Sequence, residues 1–137
     1  MNPTLQNILA VIAGLIIGSI ANMALITLGP MIIPGPEGYD MTDPEQLKAA
    51  MEFMTPKNFI FPFLAHAFGT FVGAILAFKI SKTHSLKMAM VVGVFFLAAG
   101  IANVAMLPSP LWFNVIDLVL AYIPMAYLGG KLMNKEA

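Results

Sequence analysis

Four apolar stretches, Ile8 to Leu28, Phe59 to Phe78, Met88 to Leu107 and Leu111 to Leu132, leave this chain few ways to fold. About 20 consecutive apolar residues in a helix cross the hydrocarbon core of a bilayer, and a helix is the one open-ended element that satisfies its own backbone there. With 59% of its residues apolar and 10% charged, the chain lies far from the balance of a soluble domain. The spans use most of the 137 residues and leave no room for a separate soluble domain. The expected fold class is therefore all-α: a polytopic membrane four-helix bundle, one transmembrane domain over residues 1–137. Span one is too long for a signal-peptide core and has no basic segment before it, so it reads as a retained helix.

Charge placement orients the bundle. Lysine-rich short loops stay cytoplasmic, while acidic residues count for little. Lys79, Lys82 and Lys87 flank the connection between spans two and three, and Lys131 and Lys135 close span four, whereas the connection between spans one and two holds only Lys48 and Lys57. Both termini are thus expected in the cytoplasm. All seven basic residues are lysines and the net charge is zero, so bidentate phosphate recognition has no arginine to use and nucleic acid is not an expected partner. The absence of cysteine removes disulfides, thiol catalysis and thiolate metal sites together. Neither a metal nor another cofactor is expected; the one partner that composition implies is membrane lipid.

The external connection, residues 29–58, begins with Pro30, Pro34, Gly35, Pro36 and Gly38, which mark an irregular start. Thr42-Asp43-Pro44-Glu45 then has the form of a capping box with Thr42 as N-cap, which predicts a short helix over about 43–54. Leu47, Ala50, Met51 and Met54 recur at helical spacing, so this amphipathic helix is expected on the outer membrane surface or capping the bundle. Glu37, Asp40, Asp43 and Glu45 lack the oxygen-ligand ladder of a calcium loop. Pro108-Ser109-Pro110 forms the other external turn, anchored by Trp112, and shows no evident chemistry. In span four, Pro124 is expected to kink the helix, since it lacks a backbone donor.

Small residues set the packing. Ala10, Gly14, Gly18 and Asn22 fall four apart on span one, and Ala65, Gly69, Gly73 and Ala77 do so on span two. Each stripe contains a GxxxG, which lets helix backbones approach closely where lipid gives no hydrophobic drive to associate. Spans one and two are the expected close pair, with a homo-oligomer seam or a place in a larger membrane complex as the other use of such a stripe. Spans one and three also share a faint repeat, Ile20-Ala21-Asn22-Met23-Ala24-Leu25 beside Ile101-Ala102-Asn103-Val104-Ala105-Met106, as short as a coincidence in so apolar a sequence.

Each span carries one strongly polar residue in its body: Asn22, His66, Asn103 and Asp117. At 1.5 Å rise per residue and with alternating direction, all four lie toward the outer face of their spans, so they can form one layer. Asn114 and Thr70 sit one turn from Asp117 and His66 and extend it. Asp117 must be protonated, paired or wetted at that depth, and His66 is the one intramembrane base available to pair with it. Two readings follow. In the first the layer is interhelical hydrogen-bond glue in an accessory or self-associating subunit; in the second it lines a small site for a proton, a cation or a polar ligand, in a transporter, a channel or a ligand-binding protein. No nucleophile arrangement or phosphate loop is present, so enzymatic activity is not expected.

The Pro/Gly-rich exit from span one, Thr42-Asp43-Pro44-Glu45, the run Ala65-His66-Ala67-Phe68-Gly69-Thr70-Phe71-Val72-Gly73 and Pro108-Ser109-Pro110-Leu111-Trp112 together resemble a family of small four-span bacterial membrane proteins of unassigned function. That resemblance covers nearly the whole chain and implies the four-span topology and a bacterial cytoplasmic membrane, with no catalytic residue to transfer. The chain does not resemble small multidrug transporters, which carry a glutamate in their first helix, nor the dual-topology fluoride channels, from which its lysine bias sets it apart.

Overall fold

In the computed structural model, which describes residues 1–136, α1 (Pro3–Ile32) is followed by α2 (Pro44–Met51), a single 3-10 turn (Pro56–Phe59), α3 (Ile60–Ile80), α4 (Ser85–Met106), α5 (Leu111–Leu120) and α6 (Ile123–Glu136). The side chains of Lys135 and Glu136 lie outside the described residues, Lys135 among them as a member of the lysine bias. Among the described residues, four segments are long and apolar enough to cross a membrane: Pro3–Ile32, Pro56–Ile80, Ser85–Met106 and Leu111–Asn134. Ile8, Ile12, Ile16 and Ile20 on α1 are exposed while Ala10, Gly14 and Gly18 are buried. Small residues inside and large apolar ones outside suit lipid as the surrounding solvent, and the protein is a multi-pass membrane protein of all-α architecture.

The most extensive helix contact is between α1 and α3. A Cβ on Gly14 would lie 2.5 Å from the carbonyl oxygen of Gly73, and one on Gly18 would lie 2.6 Å from that of Gly69. The reciprocal positions are as close, 2.5 Å for Gly73 to the Gly14 oxygen and 2.7 Å for Gly69 to the Gly18 oxygen. Backbone therefore meets backbone in an antiparallel register. Continued one turn each way, it sets Ala10 opposite Ala77 and Asn22 opposite Ala65. Both sequence stripes face each other within one chain.

The start of α1 is fixed to the α3–α4 turn. Gln6 Nε2 donates to the Ile80 carbonyl at 2.7 Å, and Asn7 Oδ1 accepts from the amides of Lys82 at 2.9 Å and Thr83 at 3.3 Å. These contacts lie at the end of the bundle opposite α2. At its other end, α1 continues past the expected boundary at Leu28, through Pro30 to Ile32. Pro30 withholds the donor that the Ile26 carbonyl would receive, yet it falls in the last turn, and Ile33 N–H closes the helix on the Gly29 carbonyl at 2.8 Å. A proline so placed weakens one bond without ending the helix.

Two expectations about the external connection need correction. The N-cap of α2 is Asp43, not Thr42: Asp43 Oδ1 accepts from the amides of Glu45 at 2.9 Å and Gln46 at 3.0 Å. Pro44 occupies the first helical position and forces an extended backbone on the residue before it, which is the conformation an N-cap requires. Thr42 instead donates its hydroxyl to Asp40 Oδ1 at 2.6 Å and its amide to the same oxygen at 2.9 Å, holding the Asp40 carboxyl below the usual carboxylate range. The helix also ends at Met51, short of residue 54, because Pro56 draws Thr55 into extended backbone and the last turn tightens into Phe53 N–H to Ala50 and Met54 N–H to Met51 bonds.

The fourth span is broken rather than bent. Pro124 would collide with the carbonyl four residues back, so α5 stops at Leu120 and α6 restarts at Ile123, with Ala126 N–H on the Tyr122 carbonyl at 2.9 Å. The glycine contact gives a direct prediction. Gly14→Ala and Gly73→Ala should each lower thermal stability in detergent by about 1–3 kcal/mol, since the added methyl meets backbone that cannot turn aside. Ser19→Ala, on an exposed side of α1, should leave the unfolding midpoint where it was. A Gly14→Ala protein as stable as its parent would mean that α1 and α3 do not touch there.

Candidate functional site

His66 lies early in α3, and Asp117 lies in the middle of α5. Their contact, His66 Nδ1 to Asp117 Oδ1, is 2.8 Å, with the His66 side chain 16% and the Asp117 side chain 5% exposed. A third member completes the cluster: Tyr122, at the break before α6, donates its hydroxyl to Asp117 Oδ2 at 2.9 Å. Its ring also stacks on the His66 imidazole with centroids 5.8 Å apart. Gly100 of α4 provides the seat, since a Cβ there would lie 2.6 Å from the Tyr122 hydroxyl oxygen. Both carboxylate oxygens of a buried aspartate are thus hydrogen-bonded by groups from other segments, which answers the cost of placing it there.

The sequence points to His66 and Asp117 but not to Tyr122. In an uninterrupted helix a residue five positions on lies about 140° round from Asp117, so no wheel brings the two together. The break at Ala121–Tyr122 does so, and Pro124 is the signal that marked it.

Above this cluster is a cavity of about 300 Å³ bordered by Asn22, His66, Asn103, Asn114 and Asp117. Its walls are mostly apolar, from Met23 and Ile26 of α1 to Phe113 of α5. Leu47 and Met51 of α2, with Met41 and Met54 on either side, also border it, so the amphipathic helix caps the bundle with its apolar face. Thr70 is not at this cavity. It is fully buried, and its hydroxyl donates to the His66 carbonyl one turn back at 2.8 Å. Asn114 borders the cavity, but its side chain pairs with Ser109: the serine hydroxyl donates to Asn114 Oδ1 at 2.6 Å, and Asn114 Nδ2 donates to the Ser109 carbonyl at 3.3 Å. Ser109, which shows no chemistry in the sequence, is itself a lining residue.

Asn22 is half-buried and Asn103 exposed, and neither amide hydrogen-bonds another protein group among the described residues. The polar layer therefore divides in two. His66, Asp117 and Tyr122 join α3, α5 and the start of α6, whereas Asn22 and Asn103 face open space. No three His, Cys, Asp or Glu side chains come together among the described residues, so no metal-binding cluster is formed there.

Comparison of the chain with protein-family models, curated proteins and solved structures finds no significant match. No family is identified. What stands of the resemblance in the motifs is architectural, four long apolar helices packed as a small four-span membrane protein.

The hydrogen bonds at Asp117 are testable by a double-mutant cycle. Tyr122→Phe strands one buried carboxylate oxygen and should cost about 1–3 kcal/mol in detergent. His66→Ala and Asp117→Asn should also destabilise. The losses from Tyr122→Phe and Asp117→Ala should combine to less than their sum, because each removes the Tyr122–Asp117 bond, whereas asparagine at 117 keeps an acceptor oxygen for the phenol. Strictly additive losses would show that Tyr122 and Asp117 are not hydrogen-bonded.

Proposed function

We propose that this protein is a non-enzymatic ligand-binding protein of a bacterial cytoplasmic membrane, with both termini in the cytoplasm, that holds a small molecule in the cavity beneath α2. One observation carries the reading: side chains from α1, α3, α4 and α5 that the sequence marks as out of place in hydrocarbon border a single space. A purely packing role would leave each of them satisfied by a neighbouring helix, as Asp117 is, but Asn22 and Asn103 have no such partner among the described residues. An apolar cavity with a few convergent polar groups is the usual form of a small-molecule site.

Binding is favoured over conduction or coupled transport. The backbone contacts of Gly14 with Gly73 and Gly18 with Gly69 close α1 against α3 beyond the cavity, toward the lysine-rich end. The accessory-subunit reading draws on the His66–Asp117–Tyr122 cluster, which locks three segments together. Self-association, or docking into a larger complex, would need a face other than the glycine stripes, which are occupied within the chain.

Two measurements test the proposal. Val104 borders the cavity and is half-buried. Val104→Phe should fill the space and eliminate a small molecule that mass spectrometry of organic extracts finds with the parent protein, without lowering thermal stability by more than about 1 kcal/mol. Identical extracts from both proteins would remove the binding reading. Orientation is open to thiol labelling, because the chain has no cysteine of its own. In intact cells a membrane-impermeant maleimide should modify Glu37→Cys, and Thr83→Cys only after permeabilisation; the reverse pattern would invert the topology.

A further inference from the structure

The protons around His66 determine what the cavity offers a ligand. The 2.8 Å contact between Nδ1 and Asp117 Oδ1 holds one shared proton. If the proton sits on nitrogen with the ring cationic, Asp117 is a carboxylate and Nε2 also bears hydrogen. If it sits on oxygen, Asp117 is neutral, Nδ1 accepts, and the neutral ring again carries its hydrogen on Nε2. These are the two arrangements in which the pair bears no net charge. The remaining one, a neutral ring protonated on Nδ1 beside a carboxylate, leaves an uncompensated negative charge in hydrocarbon, the state that burial penalises most. Tyr122 donates to Oδ2 and fits both neutral arrangements without choosing between them. Either way, Nε2–H is a donor.

That donor is not enclosed. His66 makes its hydrogen bond through Nδ1, and no buried side-chain nitrogen or oxygen is left without a partner among the described residues, so Nε2 keeps accessible surface. The space that His66 borders is the cavity. Two further polar groups border it, the side-chain amides of Asn22 and Asn103, each offering both a donor and an acceptor and neither bonded to another protein group among the described residues. Both oxygens of Asp117 are engaged, so the cavity presents no free carboxylate from that residue to hold a cation. The rest of the lining is largely apolar and methionine-rich, with Met23, Met41, Met51 and Met54, a surface that adapts to varied hydrocarbon shapes.

We propose that the cavity selects a neutral, largely apolar molecule carrying a carbonyl oxygen, a ketone, quinone or ester, which accepts a hydrogen bond from His66 Nε2–H while its hydrocarbon part packs under α2. This rests on the ligand-binding reading above and adds the polarity of the head. A basic amine would leave the His66 donor unused and bring an uncompensated charge into a mostly apolar cavity, and a plain hydrocarbon would leave three polar groups without partners.

A matched series of probes in lipid nanodiscs tests it: 1-phenylpentan-1-one, pentylbenzene, in which a methylene replaces the carbonyl, and 1-phenylpentan-1-amine, which is cationic at neutral pH. The readouts are the imidazole nitrogen signals of a histidine-labelled protein and the methyl signals of Met51 and Met54. Two histidines are present, and His84, in the α3–α4 turn, is the internal control. The ketone should shift the His66 Nε2 signal and not that of His84, and should bind about tenfold more tightly than pentylbenzene after correction for lipid partition. The amine should bind weakest. Methionine shifts of equal affinity for ketone and hydrocarbon, with His66 unmoved, would overturn the carbonyl selection and leave the cavity reading intact. Preference for the amine, or an Nε2 signal typical of an unprotonated nitrogen, would overturn the donor assignment. If no probe moves the methionine methyls, the cavity reading fails and the carbonyl selection with it.

Discussion

The contact of α1 with α3 sets the geometry of everything else in the bundle. Glycine at positions 14, 18, 69 and 73 brings two backbones together until carbonyl oxygens occupy the places of side chains. In lipid such closeness is the main source of helix affinity, because dispersion between backbones replaces the hydrophobic effect that water would supply. Its register is narrow: a shift of one residue would place side chains against carbonyl oxygens. By fixing that register the glycines place Asn22 beside the α3 turn that carries His66. An asparagine and a histidine far apart in the chain thereby come to border one space.

The break in the fourth span has the complementary effect. A straight helix would carry Tyr122 away from Asp117, but the interruption forced by Pro124 returns the phenol to the carboxylate. One proline thus gives up helical hydrogen bonding and gains a hydrogen bond at the most costly residue in the bundle. Gly100 makes room for that ring on the far side. The cluster is consequently a joint between α3, α4, α5 and α6 as well as a wall of the cavity, and the two roles use different atoms: Asp117 holds the joint, while the second nitrogen of His66 keeps accessible surface.

Much of this is legible in the sequence because membrane physics leaves few options. Length and apolarity give the spans, and the four-residue stripes of small residues give the face on which α1 meets α3. The His66–Asp117 pair follows from the cost of an isolated carboxylate. What the sequence hides depends on competition between neighbours. Thr42 and Asp43 both have N-cap chemistry, and Pro44 decides for Asp43 by constraining the residue before it. Thr70 has a hydroxyl suited to the polar layer, but the carbonyl of its own preceding turn is nearer than the cavity. Ser109 and Asn114 satisfy each other across the α4–α5 turn, whose conformation no periodicity reveals. The clamp of Gln6 and Asn7 on the α3–α4 turn is likewise a contact between an end and a loop, with no repeat to announce it.

The cap over the cavity is tethered unequally. On one side α2 is joined to α1 by the long irregular stretch 33–43, while on the other the short stretch 52–55 leads directly into the turn that begins α3. Both anchoring helices are held by the glycine register, so neither can follow a displaced cap. The longer tether is itself pinned at both ends, where Asn58 Nδ2 donates to the Pro34 carbonyl at 3.0 Å and the Asp40 amide donates to Gln46 Oε1 at 2.8 Å, so the unfastened backbone of the cap is confined to residues 35–39.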